Sequence, residues 1–153
     1  LPLWKNPAEA GEQLLWGLEQ ADVVKISEEE VRFLFDLSAK DGAEYICGNF
    51  PVKLVFVTCG ADGCFFQNAR AAGWEPALPG LKIVDTTGAG DIFGGSAVWK
   101  LLQYGAAPEE LGEGELRDTV SFACAAAGLS ATRPGGISSI PAYDEVWRAV
   151  NRK

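Results

Sequence analysis

The spacing of apolar residues changes period several times along the chain, and each change marks an element. From Asn6-Pro7 onward, Ala10, Leu14, Leu15 and Leu18 recur at helical intervals to about Gln20. Asn6 suits the N-cap, Pro7 suits the first helical position, and Leu3-Trp4 leads in. Ala21 to Ile26 reads as a short buried strand. Ser27 then caps a second helix, Glu30 completes a capping box three residues later, and Val31, Leu34, Phe35 and Leu37 form the apolar stripe. Gly42, Gly48 and Pro51 punctuate residues 41–51 and leave open whether a short helix lies among them. Residues 53–58 are almost continuously apolar, as in a sheet covered on both faces. Gly60-Ala61-Asp62-Gly63 is a turn signal, which makes residues 64–67 the next strand, antiparallel if the turn is tight. A further short strand is expected near Gly73-Trp74. Leu81 to Val84 leads into a glycine-rich segment, and Ile92, Phe93, Ala97, Val98, Leu101 and Leu102 then return to helical spacing until Gly105. Residues 115–131 predict another helix. Its run from Phe122 to Gly128 carries small side chains that favour close packing. Arg133-Pro134-Gly135-Gly136 is a loop, and Pro141 opens a last amphipathic helix ending near Val150. The order of elements predicts one α/β domain with helices on a mainly parallel sheet.

Composition narrows the function. With 153 residues and 48% hydrophobic positions, the chain can bury a real core. A formal charge of -8 argues against general binding of DNA or RNA, which needs a positive footprint, but permits a nucleotide held by backbone N–H groups and a metal ion. No histidine is present, which excludes a His-based zinc site and a Ser-His-Asp triad within this chain. Cys47, Cys59, Cys64 and Cys124 form no CxxC pair and read as reduced thiols of a cytosolic protein, although the spacing leaves a Cys59–Cys64 pairing open. No secretory h-region is visible at the start, and no apolar run approaches the length of a membrane helix.

The chemistry concentrates in Asp85-Thr86-Thr87-Gly88-Ala89-Gly90-Asp91. Small residues ahead of a helix let successive N–H groups face an anion, and the helix start adds its unpaired donors and its dipole. Asp91 is placed to accept a proton from a hydroxyl beside a phosphate. The same residues also suit an ordinary Asp-capped helix start, and residue types alone do not decide between the two. The loop is neither a Walker A loop nor a dinucleotide fingerprint.

Residues 85–91, continued by Phe93 and Gly95, closely resemble the second signature of the PfkB, or ribokinase-like, carbohydrate kinases, a family that includes the fructokinases. Three further segments match in order. Lys25-Ile26-Ser27-Glu28-Glu29-Glu30 resembles the family's Asn-x-x-Glu segment, with Ser27 in place of the usual Asn. Val57-Thr58-Cys59-Gly60-Ala61-Asp62-Gly63 resembles its Thr-x-Gly-x-x-Gly turn. Residues 131–139 resemble its C-terminal loop around adenine and a monovalent cation. The resemblance implies a ribokinase-like three-layer α/β/α fold and ATP-dependent phosphorylation of a sugar hydroxyl, most like a bacterial fructokinase. It makes Asp91 the catalytic base, with Gly88, Ala89 and Gly90 holding the transferring phosphoryl group. It makes Ser27, Thr58, Gly60, Gly63, Gly88, Gly90 and Cys124 nucleotide contacts, Cys124 standing near a position where many members carry a base-touching Asn. It gives Glu30 to magnesium, a role that sits beside its capping-box role. It gives Asp85, Thr87, Ser130, Arg133, Gly135 and Ser139 to a potassium site ligated mostly by carbonyls.

The resemblance spans all 153 residues but only the C-terminal portion of a member, which is usually about twice as long. The implied N-terminal half, with its glycine-rich sugar-binding segment and small β lid, has no counterpart here. Residues 1–153 are therefore expected to be the nucleotide-binding part of a kinase domain, inactive alone and open to self-association or homodimerisation through an exposed sheet edge. A nucleoside or vitamin kinase of the same family, or a nucleotide-binding piece without catalysis, are the alternatives.

Overall fold

The computed structural model describes residues 6–151; Leu3, Trp4 and the lead-in expected of them lie outside these. Helix α1 (Pro7–Gln20) starts as its sequence dictates, with the Asn6 carboxamide oxygen accepting the Glu9 N–H at 2.8 Å. Strand β1 (Val23–Ser27) runs directly into α2 (Glu28–Phe35), and both bonds of the Ser27–Glu30 capping box are made. The helix stops earlier than its apolar stripe suggests. Asp36 takes up a left-handed conformation (φ 55°), so Leu37 lies beyond the helix while still packing on the same core.

Most of residues 41–51, ambiguous in sequence, falls in α3 (Ala39–Asn49), capped by Ser38. Gly42 does not break it. The glycine lets α3 close on α2: a Cβ there would stand 2.2 Å from a Val31 methyl. Strand β2 (Leu54–Thr58) follows, then a 3-10 turn at Gly60–Asp62, β3 (Cys64–Asn68) and β4 (Ala72–Glu75). After a long loop come α4 (Ala89–Tyr104), α5 (Glu113–Ser130) and α6 (Tyr143–Val150).

The sheet order is β1-β2-β3-β4, and only the β1–β2 pairing is parallel, with Lys25 opposite Phe56. The expectation of a mainly parallel sheet is thus corrected: β2–β3 and β3–β4 are antiparallel. The cause is connection length. A parallel pair needs a crossover, which α2 and α3 supply between β1 and β2, whereas the later strands are joined by tight turns.

Helices cover both faces, which gives three layers. Leu54 and Phe56 of β2 pack with Phe93, Ala97, Leu101, Leu116 and Val120 of α4 and α5. Val55 and Val57 face the other way, toward Val31, Ala43 and Ile46. This two-sided burial explains the unbroken apolar run of β2. Buried Asn68 pins the far end of the sheet. Its amide donates to the carbonyls of Pro108 and Leu111 (2.8 and 2.9 Å), and its oxygen accepts from the N–H groups of Arg70 and Ala71. All four cysteines are free, and no helix among the described residues is long and apolar enough to cross a membrane.

Candidate functional site

A cleft of about 450 Å³ opens at the C-terminal end of β2. Thr58, Gly60 and Gly63 of the β2–β3 turn form one wall. Ala89, Gly90 and Phe93 from the start of α4 form another, and Cys124, Ala127 and Gly128 of α5, with Ala131 just past its end, form the floor. The loop after β4 closes the remaining side through Leu78, Pro79, Gly80 and Leu81. The lining is largely small or apolar, as suits a flat ring system held between backbone surfaces.

The turn into α4 has the geometry of an anion cradle. Gly88 is left-handed (φ 77°), and no side chain caps the helix. The Ala89 N–H donates to the Thr86 carbonyl at 3.1 Å, and the Gly88 carbonyl accepts the Ile92 N–H at 2.9 Å. Among the described residues, the N–H groups of Gly90 and Asp91 have no protein acceptor. Gly88 itself stands outside the cleft walls and packs toward Gly136, where a Cβ would lie 3.5 Å from that residue's Cα. Asp91 is solvent-exposed, one residue past the wall formed by Ala89 and Gly90.

Asp85 ties this turn to the loop after α5. One carboxylate oxygen accepts the Thr87 N–H at 2.9 Å and the other accepts the Gly135 N–H at 3.0 Å. The Val84 and Asp85 N–H groups both donate to the Ala131 carbonyl, fixing the same junction. The Thr87 hydroxyl, then the Gly135 and Thr87 amides, hold the Asp85 carboxyl down at about 2, against an ordinary 3.8. Because the native value is the lower one, this tie contributes above pH 3.8 and is lost as pH falls toward 2. The Gly135 amide resonance should therefore titrate with a midpoint near pH 2. A midpoint at the ordinary carboxylate value would show that the tie is not made.

The other expected ligands fall into two groups. Thr87 and Gly135 converge on Asp85, whereas the Arg133 guanidinium turns away to an ion pair with Glu145 of α6. The buried hydroxyls of Ser130 and Ser139 donate to the carbonyls of Ala127 and Gly136. Glu30 lies outside the cleft walls. One of its oxygens accepts the Ser27 N–H at 2.8 Å, and the other is left for a further partner. Ser27 likewise serves as the cap of α2 and is not part of the walls. Among the described residues no group of three or more acidic or thiol side chains could enclose a metal ion. The donors near the glycine turn are single carboxylates, hydroxyls and carbonyls, an oxygen set that fits hard cations. Burial pushes the Cys124 thiol up to about 12, so it meets the cleft as a neutral, weakly polar surface.

The family model described as pfkB family carbohydrate kinase matches residues 1–143. The chain belongs to this family. Fructokinase-1 of Oryza sativa subsp. japonica is 35% identical over 151 residues, covering 97% of this chain and 45% of the relative. The chain thus spans about half the length of the curated relatives it matches. The crystal structure of fructokinase with bound ATP from Xylella fastidiosa superposes with a TM-score of 0.84 at 28% identity, over 97% of this chain and 48% of that one. Aminoimidazole riboside kinase from Salmonella enterica, solved with aminoimidazole riboside and an ATP analogue, gives a TM-score of 0.79 at 26% identity, over 97% of this chain and 48% of that one. The architecture is the ribokinase-like α/β/α fold, in the portion that corresponds to the C-terminal part of these relatives.

Sequence reasoning missed two parts of the cleft. The loop at residues 77–83 has no periodicity, and Pro79 and Gly80 signal only irregular chain. Positions 124, 127 and 128 of α5 and position 131 just past it are small at helical spacing, which is the available signal for Ala127 and Gly128. Of these only Cys124 is given to the nucleotide by the family resemblance, while Ala127 and Gly128 read from sequence as helix packing alone. Part of it does pack, since Ala125 and Ala126 meet Val146 of α6, while the adjacent face forms the cleft floor.

Proposed function

We propose that this chain supplies the nucleotide-binding and catalytic-base part of an ATP-dependent sugar kinase, with fructose as the leading acceptor. The observation that carries the reading is the cleft of small residues ending at a helix start whose Gly90 and Asp91 N–H groups have no protein acceptor. Adenine fits between the α5 floor and the loop at residues 77–83. Thr58, Gly60 and Gly63 border the ribose and inner phosphates, and the terminal phosphate reaches the glycine turn. Asp91, exposed beside that turn, takes the proton from the acceptor hydroxyl as its oxygen bonds to the γ-phosphorus and the bond to ADP breaks. Placement and charge stabilisation supply most of the rate, because the protein makes no covalent bond itself.

Magnesium would be held through the free oxygen of Glu30 and would neutralise phosphate charge. A monovalent cation near Asp85, Thr87 and the carbonyls of residues 130–139 would stiffen the glycine turn. The acceptor pocket belongs to chain beyond these residues, so the 153 residues alone bind nucleotide weakly and do not turn over. Four free thiols suit a reducing, cytoplasmic setting.

The test is a phosphotransferase assay of the protein at its natural length, with ATP, magnesium, and fructose, glucose, ribose, adenosine and pyridoxal as acceptors. Fructose should give the highest kcat/KM. Turnover confined to a riboside or nucleoside would favour the second reading, which the likeness to the riboside kinase supports. Failure with every acceptor, together with retained ATP binding, would leave only a nucleotide-binding module.

A further inference from the structure

The loop between α5 and α6 backs the glycine turn at two points. The Gly135 N–H meets the Asp85 carboxylate at 3.0 Å, and Gly136 lies against left-handed Gly88, whose added Cβ would stand 3.5 Å from the Gly136 Cα. Each contact ends on a glycine, and so on a soft stretch of backbone. A third contact, outside the cleft, closes this loop at its neck. The Arg133 guanidinium engages both oxygens of Glu145 in the first turn of α6, Nη1 donating to Oε2 at 3.4 Å and Nη2 to Oε1. The same carboxylate accepts the Ala142 N–H at 2.9 Å, so one side chain both caps α6 and holds the guanidinium. Helix α6 is itself anchored on α5, where Ala125 and Ala126 pack on buried Val146. Both ends of the loop are thus tied to one helix pair, and α5 carries the cleft floor.

An ion pair this open to solvent, with both side chains 40% exposed, adds little to global stability. Its two-pronged geometry suits it better to fixing position. Position matters more than stability beside a reacting centre, where a shift of about 1 Å can cost about 10²-fold in rate. We propose that the Arg133–Glu145 pair is a clasp that fixes the shape of the glycine turn, and through it the rate of transfer. It holds the loop so that Gly135 reaches Asp85 and Gly136 supports Gly88. Neither residue lines the cleft, so both are positioning residues that act through the loop backbone. The proposal rests on the reading of the glycine turn as the place where the phosphoryl group is transferred.

Glu145→Gln isolates the clasp, because the carboxamide oxygen can still cap α6 while the charged pair is lost. In the natural-length protein, with ATP, magnesium and fructose, kcat should fall about 10- to 100-fold, and KM for either substrate should stay within about threefold. The thermal midpoint should hold within about 2 °C. Arg133→Met should behave alike, and the double variant should be no worse than either single one, since the two side chains act as a unit. Arg133→Lys should recover part of the rate, because an ammonium keeps the charge but not the fork. Independently of turnover, the Gly135 amide should exchange its hydrogen about 10-fold faster in Glu145→Gln, while the amides of buried Leu116 and Val120 in α5 keep their protection. An unchanged Gly135 exchange rate would overturn the proposal, as would a rate loss that only follows a falling thermal midpoint. If the unsubstituted protein phosphorylates no acceptor, the kinase reading fails on its own, and the Gly135 exchange rate alone decides the clasp.

Discussion

Replacing Asp91 by Asn should reduce phosphoryl transfer by about 10²- to 10⁴-fold, the usual contribution of a general base, while ATP binding survives. The substitution keeps the shape of the side chain and removes its ability to take a proton. Asp91 is exposed in the first turn of α4, so the structural cost is limited to its favourable placement against the helix dipole, about 0.3–1 kcal/mol. Rate and affinity are therefore expected to separate: kcat falls and the ATP dissociation constant holds. The measurement is steady-state kinetics of the natural-length protein, paired with calorimetry. If most of the original rate remains, Asp91 is only a helix-start carboxylate and another group must receive the proton.

A large stability effect is expected at Gly63, comparable with deleting a buried core side chain. Its φ of 122° and ψ of -141° lie in a region that side chains strongly disfavour. A Cβ there would meet the Glu75 carbonyl oxygen at 2.2 Å, Pro76 Cα at 2.8 Å and Ala77 N at 2.9 Å. All three are backbone atoms and cannot rotate aside. Backbone strain and overpacking together give roughly 3–5 kcal/mol for Gly63→Ala, a fall of about 10 °C or more in thermal midpoint. Nucleotide affinity should fall as well, because the displaced backbone leads straight into the cleft wall at residues 77–81. Gly60→Ala is the control. Gly60 is also left-handed (φ 55°), but no atom lies within 4 Å of its added Cβ, so the cost should stay near 1–2 kcal/mol. Unfolding followed by circular dichroism checks both variants. Equal midpoints for the two would show that the contact at Glu75–Ala77 is not as tight as it looks.

The legible parts of this protein are those where local geometry restricts residue choice. Gly88 must be left-handed, Ala89 and Gly90 must stay small to leave the cleft open, and Ser27 with Glu30 must close a helix start, so these residues carry their meaning in sequence. Helix α3 was harder to see because Gly42 answers to a distant partner, the Val31 side chain, and not to its own backbone. A glycine that serves close helix packing looks like a breaker until the partner is known. The direction of the sheet was misjudged for a related reason. The turn at Gly60–Gly63 implied a hairpin, but the second reversal, held by the Asn68 side chain, has no strong turn dipeptide. Arg133 was assigned to a cation site by position along the loop, whereas its side chain finds Glu145 on α6, a contact that only the fold brings together.

Among the described residues, β1 has a neighbouring strand on one side only. The other side runs past Lys25 and Ser27, within a few residues of the glycine-turn end of the cleft. In the kinase proposed above, any strand laid along it would act as a ruler between acceptor and nucleotide. A mispairing of one residue there would shift whatever that strand carries by about 3.3 Å, a distance comparable with the gap between reacting atoms. Accuracy of alignment along this one seam, more than the strength of its hydrogen bonds, would then decide whether the two substrates meet.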